Sequence, residues 1–160
     1  MSRRVLGIDP GTAMTGYGLV EAEPGHPGRL VECGVLRTRA GASLSARLLT
    51  LYTGMRELLE QHRPDVVVVE SIFYAKNVRT SLVLSHARGV ILLAVAEAAV
   101  PVVELSPAAI KKAVVGRGRA TKPQIGFMVQ QLLRLRRPPQ PADAADGVAI
   151  ALAHLLTTRA

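Results

Sequence analysis

The sequence has no tryptophan and only one cysteine, Cys33. A lone thiol cannot close an internal disulfide, which fits a reducing compartment. The four histidines, His26, His62, His86 and His154, stand apart, and no His/Cys cluster has metal-ligand spacing. His154 reads as helix surface or packing. There is no internal repeat, linker or low-complexity tract. The longest apolar stretch, Val90 to Val103, is interrupted by Glu97 and Pro101 and is too short to cross a bilayer. After Met1-Ser2-Arg3-Arg4 the apolar run breaks at Asp9-Pro10-Gly11, before a signal-peptide core could form. The expectation is a cytoplasmic protein that engages no membrane. A further absence is of one charge sign, since no acidic residue occurs from Leu105 to Ala142.

What is present is a chain of 160 residues, 49% apolar and 20% charged. These values predict one folded domain over 1–160 and argue against disorder or a fibrous repeat. The net charge is +8 and the pI is about 10.6, which favours a polyanionic partner. The acid-free segment holds Lys111, Lys112, Arg117, Arg119, Lys122, Arg134, Arg136 and Arg137, enough to account for the whole net charge. A solvated basic face is the plain explanation. A nucleic-acid face is favoured, because the glycines of Gly116-Arg117-Gly118-Arg119 let backbone approach a ligand. A membrane-surface helix is disfavoured by the lack of a split into basic and large apolar faces.

Arg4 to Asp9, Thr15 to Glu21 and Leu30 to Thr38 read as three strands joined by Pro/Gly turns, an antiparallel meander. Gly16-Tyr17-Gly18 predicts close backbone packing within the second. Ser43 can cap a helix running to His62, with Leu44, Leu48, Leu51, Tyr52, Met55, Leu58 and Leu59 at helical spacing. Val66 to Val69 is a β-branched run expected as a strand covered on both faces. A helix is expected over Val78 to Ala99, a buried strand over Pro101 to Leu105, and a helix from Pro107 to Val115 capped by Ser106. Helices over Pro123 to Arg134 and Ala142 to Thr157 complete the chain. This order predicts an α/β fold, a mixed five-stranded sheet with helices on both faces.

Four acids have unusual placements. Asp9 ends the first strand. Glu70 follows Val66 to Val69 at the carboxyl end of a central strand, where open α/β sheets bind ligands. Asp143 and Asp146 share a face of the last helix, and that face continues into Ile150 and Ala153. Singly, each has an ordinary explanation: a strand-end acid reaching solvent, or an acid suited to a helix dipole or cap. Four together are harder to dismiss, and in a basic protein a cluster of buried acids would need compensation, since like charges in one site cannot all stay ionised unaided. A divalent metal is the economical compensation, and oxygen ligands alone suit Mg²⁺ or Mn²⁺. Two ions about 4 Å apart would stabilise the attacking water and the leaving oxygen of a phosphodiester.

These residues also carry a resemblance. Gly7-Ile8-Asp9-Pro10-Gly11 with Gly16-Tyr17-Gly18, Val69-Glu70 with Phe73-Tyr74-Ala75-Lys76-Asn77, Lys111 with Val114-Val115-Gly116 and Lys122, and Ala142-Asp143-Ala144-Ala145-Asp146-Gly147 form four blocks in order. They resemble the RuvC family of crossover junction endodeoxyribonucleases, the bacterial Holliday-junction resolvases. The resemblance implies a ribonuclease H-like fold and a homodimer that nicks two opposed strands of a four-way DNA junction. It makes Asp9, Glu70, Asp143 and Asp146 the metal-binding catalytic acids, and Phe73 a residue acting on DNA near the cut. Lys111 and Lys122 become phosphate contacts. It also implies a branch-migration motor as partner. Ser71 and the basic Arg117 and Arg119 depart from the family pattern, which bears on cleavage-site preference.

The residues themselves add that Phe73 and Tyr74 are two of only five aromatics. Exposed beside the site, such rings could stack on unpaired bases, with Lys76, Asn77 and Arg79 as phosphate donors. Leu82, Val83, His86, Gly89, Val90, Leu93 and Ala94 mark either a dimer face or ordinary core. Asp9-Pro10-Gly11-Thr12 also resembles a phosphate loop of actin-like kinases, but no second such loop is evident. A catalytically dead scaffold, or a related nuclease acting on RNA or linear DNA, are the competing readings.

Overall fold

The turns between the opening apolar runs are short, so those runs pair with their sequence neighbours. In a computed structural model, which describes residues 1–26, 28–71 and 77–158, β1 (Arg3–Asp9), β2 (Met14–Ala22) and β3 (Arg29–Arg37) form the expected antiparallel meander. Helix α1 (Leu44–His62) crosses to β4 (Val66–Glu70), and α2 (Val78–Glu97) crosses to β5 (Val102–Leu105). Strand β4 pairs in parallel with β1, and β5 with β4, giving the order β3-β2-β1-β4-β5. Helices α3 (Pro107–Val115), α4 (Lys122–Leu132) and α5 (Ala142–Thr157) follow.

Local chemistry sets the helix starts. The Ser43 hydroxyl accepts from the Ala46 N–H, and Ser106 accepts from the Ala109 N–H with Pro107 in the first turn. Helix α4 starts at Lys122, not Pro123, because Thr121 and Gln124 form a reciprocal capping box. The strand over Val102–Leu105 departs from expectation. It was expected to be buried, yet Val102 and Glu104 are exposed and Val103 and Leu105 half-buried. Its place at the sheet edge, with β4 as its one strand neighbour, leaves it half covered.

The two-residue period of a strand sorts its side chains between two cores. On one side, Val5, Val20, Val66 and Val68 pack with Ile110, Val114, Val129, Val148 and Leu152 from α3, α4 and α5. On the other, Leu6, Ile8, Leu19, Val67 and Val69 pack with Leu51, Met55, Ile91 and Val95 from α1 and α2. All four valines of β4 are at most 1% exposed, and each such burial contributes about 1.5–3 kcal/mol.

Helix α5 lies directly on the backbone of β1 and β2. A Cβ at Gly7 would stand 2.1 Å from the Gly147 carbonyl oxygen, one at Gly16 1.9 Å from that of Asp143, and one at Gly18 2.4 Å from the Val148 nitrogen. A Cβ at Gly147 would meet the Tyr17 backbone at 2.5 Å. Backbone cannot yield as a flexible side chain can, so the Gly16-Tyr17-Gly18 reading holds. Gly18→Ala is expected to lower thermal stability by several kcal/mol or abolish folding. Gly126→Ala in α4, where an added Cβ meets nothing within 4 Å, is expected to be neutral or stabilising by up to about 1 kcal/mol. Thermal denaturation followed by circular dichroism compares the two.

Candidate active site

The same period that sorts the cores places the first two acids. Val5 and Gly7 of β1 face α5, as do Val66 and Val68 of β4. Two residues on, that parity carries Asp9 and Glu70 to the same side. The parallel register Gly7↔Val68 and Ile8↔Val69 then sets the two carboxyls side by side at the carboxyl ends of neighbouring strands. Helix α5 presents the other two acids. Its N-cap position is Pro141, with no side-chain cap bond, so Asp143 does not cap the helix. Carboxylate oxygens of Asp9, Asp143 and Asp146 lie within 4.8 Å of one another. Glu70 adjoins this group, and of the neighbouring charges its carboxylate acts most strongly on Asp9.

Burial and crowding leave these groups short of compensation. Asp9 is pushed up to about 7, first by burial and then by the negative charges of Glu70, Asp146 and Asp143. Glu70 is also raised, chiefly by burial, with Lys111 and Lys122 acting in opposition. The donor set consists of carboxylate oxygens alone and is strained by its own charge. It therefore fits a hard divalent cation.

A cavity of about 240 Å³ opens over the acids, lined by Asp9, Glu70, Asp146, Lys111 and Lys122 and walled by Pro107, Ile110 and Ile150. The apolar wall lowers the local dielectric and strengthens every charge interaction inside. Lys122 sits in the first turn of α4, where the helix dipole disfavours a cation. Its Nζ lies 3.4 Å from Asp146 Oδ2, and that carboxylate raises the lysine pKa. The pair is four-fifths exposed on the lysine side, so it is weak and easily exchanged.

The other candidates are less closely gathered. Asn77 Oδ1 accepts from the N–H groups of Arg79 and Thr80 at 3.0 and 3.4 Å, capping α2. Only its amide NH₂ remains to donate. Arg79 is exposed beside a separate cavity with Thr12 and Thr80. Arg117 and Arg119 are exposed beyond α3, and Gly116, at φ 89°, ends that helix as its left-handed cap. Phe73, Tyr74 and Lys76 lie outside the described residues. His154 is buried as packing.

Sequence reading missed the lock on the turn after Asp9. Thr15, fully buried, donates to the Gly11 carbonyl at 2.7 Å and accepts from the Gly11 N–H at 3.2 Å. Arg47 of α1 reaches Thr12 Oγ1 at 3.0 Å. The available signal was an arginine beside the buried stripe of an amphipathic helix.

The raised Asp9 pKa has a consequence for stability. Between about pH 4 and 7 the folded chain holds a proton that the unfolded chain, with Asp at 3.8, has released. Stability of the metal-free protein therefore falls as pH rises through this window. Asp9→Asn removes the charge and is expected to raise the metal-free melting temperature at pH 8 by several degrees. Near pH 4 the variant and the parent are expected to melt together, as differential scanning calorimetry at both pH values would show.

Comparison with known proteins accords with this geometry. The family model described as crossover junction endodeoxyribonuclease RuvC matches residues 5–154. The RuvC of Chloroflexus aurantiacus is 51% identical over 154 residues, covering 96% of this chain and 93% of its own length. That of Moorella thermoacetica is 50% identical over 151 residues, covering 94% and 89%. Among solved structures, Thermus thermophilus RuvC in complex with a Holliday junction substrate superposes with a TM-score of 0.93 at 33% identity, over 98% of this chain and 95% of that one. Family model and relatives agree over nearly the whole length, and the chain belongs to the RuvC family of crossover junction endodeoxyribonucleases.

Proposed function

We propose that the chain resolves four-way DNA junctions by hydrolysing one phosphodiester in each of two opposed strands, within recombination and repair. The observation that carries this reading is the convergence of carboxylates beneath a basic cleft in a protein of net charge +8. Asp9, Glu70, Asp143 and Asp146 would hold Mg²⁺, two ions per site, with Mn²⁺ as a substitute. Bound there, the ions supply activation of water and neutralisation of charge developing on the phosphate. Lys111 and Lys122 draw the scissile phosphate into the cleft. Arg79, Arg117, Arg119 and the Asn77 amide hold flanking phosphates. Phe73 and Tyr74 offer stacking surfaces for bases at the junction centre, and Lys76 a further phosphate contact.

The chain acts as a homodimer, since paired nicks need paired sites. Helix α2 supplies the face. Ala87, Ile91, Ala94 and Val95 are buried in the chain's own core, with Val90 packed against them. Val78, Leu82 and Leu93 are 72%, 59% and 55% exposed, with exposed His86 and Gly89 between them. The pattern read from sequence as core or interface thus divides into a buried side and an exposed side, and the exposed side is the one assigned here to the partner. Cytoplasmic residence and service to a branch-migration helicase complete the reading. Both rest on family membership.

A cleavage assay tests the activity, comparing a synthetic four-way junction with a linear duplex of matched sequence. Symmetric nicks confined to the junction, requiring Mg²⁺ or Mn²⁺ and stopped by chelator, are expected. Asp9→Asn should abolish them while junction binding persists. Tight binding without cleavage in the parent would favour a non-catalytic scaffold, and cutting of linear DNA or RNA a related nuclease. For the interface, Leu82→Glu is expected to convert a dimer to a monomer in sedimentation equilibrium, and an unchanged mass would remove α2 from the contact.

A further inference from the structure

Beyond the acids, a largely buried cation reaches the end of β4. Arg88 of α2 has a side chain only 12% exposed. Its Nη1 donates to the Glu70 carbonyl oxygen at 2.7 Å, and its Nη2 lies 2.6 Å from Glu104 Oε1 on β5. The guanidinium therefore ties three elements together at the residue that carries a cleft carboxylate.

The backbone explains why a side chain is needed there. Strand β1 ends at Asp9, and the next residue, Pro10, has no N–H to extend the ladder alongside Glu70. The Gly11 N–H is already given to Thr15 Oγ1. On the other flank, the Leu105 carbonyl takes the Ser71 N–H at 2.8 Å. The Glu70 carbonyl thus sits where the sheet runs out of donors, and a half-buried acceptor left unpaired is costly. A planar guanidinium can serve this carbonyl and the Glu104 carboxylate at once, whereas an ammonium is a point charge without that fork.

We propose that Arg88, held by Glu104, is a positioning residue that fixes the backbone of Glu70 and so sets its carboxylate for metal. This rests on the reading of Glu70 as a metal ligand. Arg88 makes its contacts with protein, the Glu70 carbonyl and the Glu104 carboxylate. It acts through the strand end, as outer groups do at metal sites, where their loss typically weakens metal affinity or activity roughly 10–100-fold.

The test compares Arg88→Met, Arg88→Lys, Glu104→Ala and Glu104→Gln in the full chain. Mn²⁺ binding is followed by electron paramagnetic resonance, junction affinity with Ca²⁺ in place of Mg²⁺, and single-turnover cleavage against Mg²⁺ concentration. Arg88→Met is expected to weaken Mn²⁺ binding and slow cleavage at least ten-fold, with junction affinity unchanged within about two-fold. Arg88→Lys should recover part of the loss. Glu104→Gln, which keeps an acceptor for Nη2, should stay near the parent, and Glu104→Ala should fall between. Parental Mn²⁺ affinity in folded Arg88→Met overturns the proposal. Should that variant not fold, parental Mn²⁺ affinity in Glu104→Ala, half-exposed at its side chain, overturns it instead. Glu70→Gln serves as the control. If it binds Mn²⁺ and cleaves like the parent, the assignment of Glu70 as a ligand has failed; if it does not while Arg88→Met does, only the role of Arg88 has.

Discussion

Everything in this molecule is arranged around the contact between α5 and the bare backbone of β1 and β2. At Gly7, Gly16, Gly18 and Gly147 there is no room for even one methyl group. Interiors packed at this density transmit displacement instead of absorbing it. The distance between Asp9 and the two α5 acids is therefore fixed by main chain meeting main chain, the least compliant contact a protein can make. Rotamers add only the last adjustment.

That rigidity has an electrostatic cost. It holds the carboxylates buried and close together, so that burial first and crowding second raise the pKa of Asp9 to about 7. An unconstrained chain would relax by moving them apart. Here the cores on both sides of the sheet hold them in place, with Val66 to Val69 and the valines and leucines of β1 and β2 providing the anchorage. The lysines at the cleft offset part of the repulsion without cancelling it. Lys122 is too exposed to do so, and its seat at a helix N-terminus works against its charge. A site in this condition favours small, highly charged cations over any neutral ligand.

Much of this was legible in the residues. Strand periodicity and the Pro/Gly turns gave the meander, and capping serines gave the helix starts, because these depend on neighbours within a few positions. The four acids stood out since each occupies the end of an element where apolar patterning stops. What escaped notice depends on partners distant in sequence. The exposure of β5 follows from the sheet order; the Asn77 cap, by contrast, is a local bond to the next turn that the sequence start at Val78 already allowed. The locks supplied by Arg47 and Arg88 need the third dimension. An arginine within an apolar helix reads as a solvated charge until the strand end it reaches is known. The stripe on α2 was legible only as a pattern, and burial was needed to divide its inner from its outer side.

The order of the elements also has a consequence in time. Asp9 emerges from synthesis early, whereas Asp143 and Asp146 belong to α5, the last element in the chain. Until α5 settles on the glycines of β1 and β2, the sheet lacks a cover on one face and the acids have not met. A growing chain can thus pair its first three strands while still unable to gather the acid cluster. A chain that stops short of α5 therefore holds Asp9 and Glu70 without the two acids that complete the cluster.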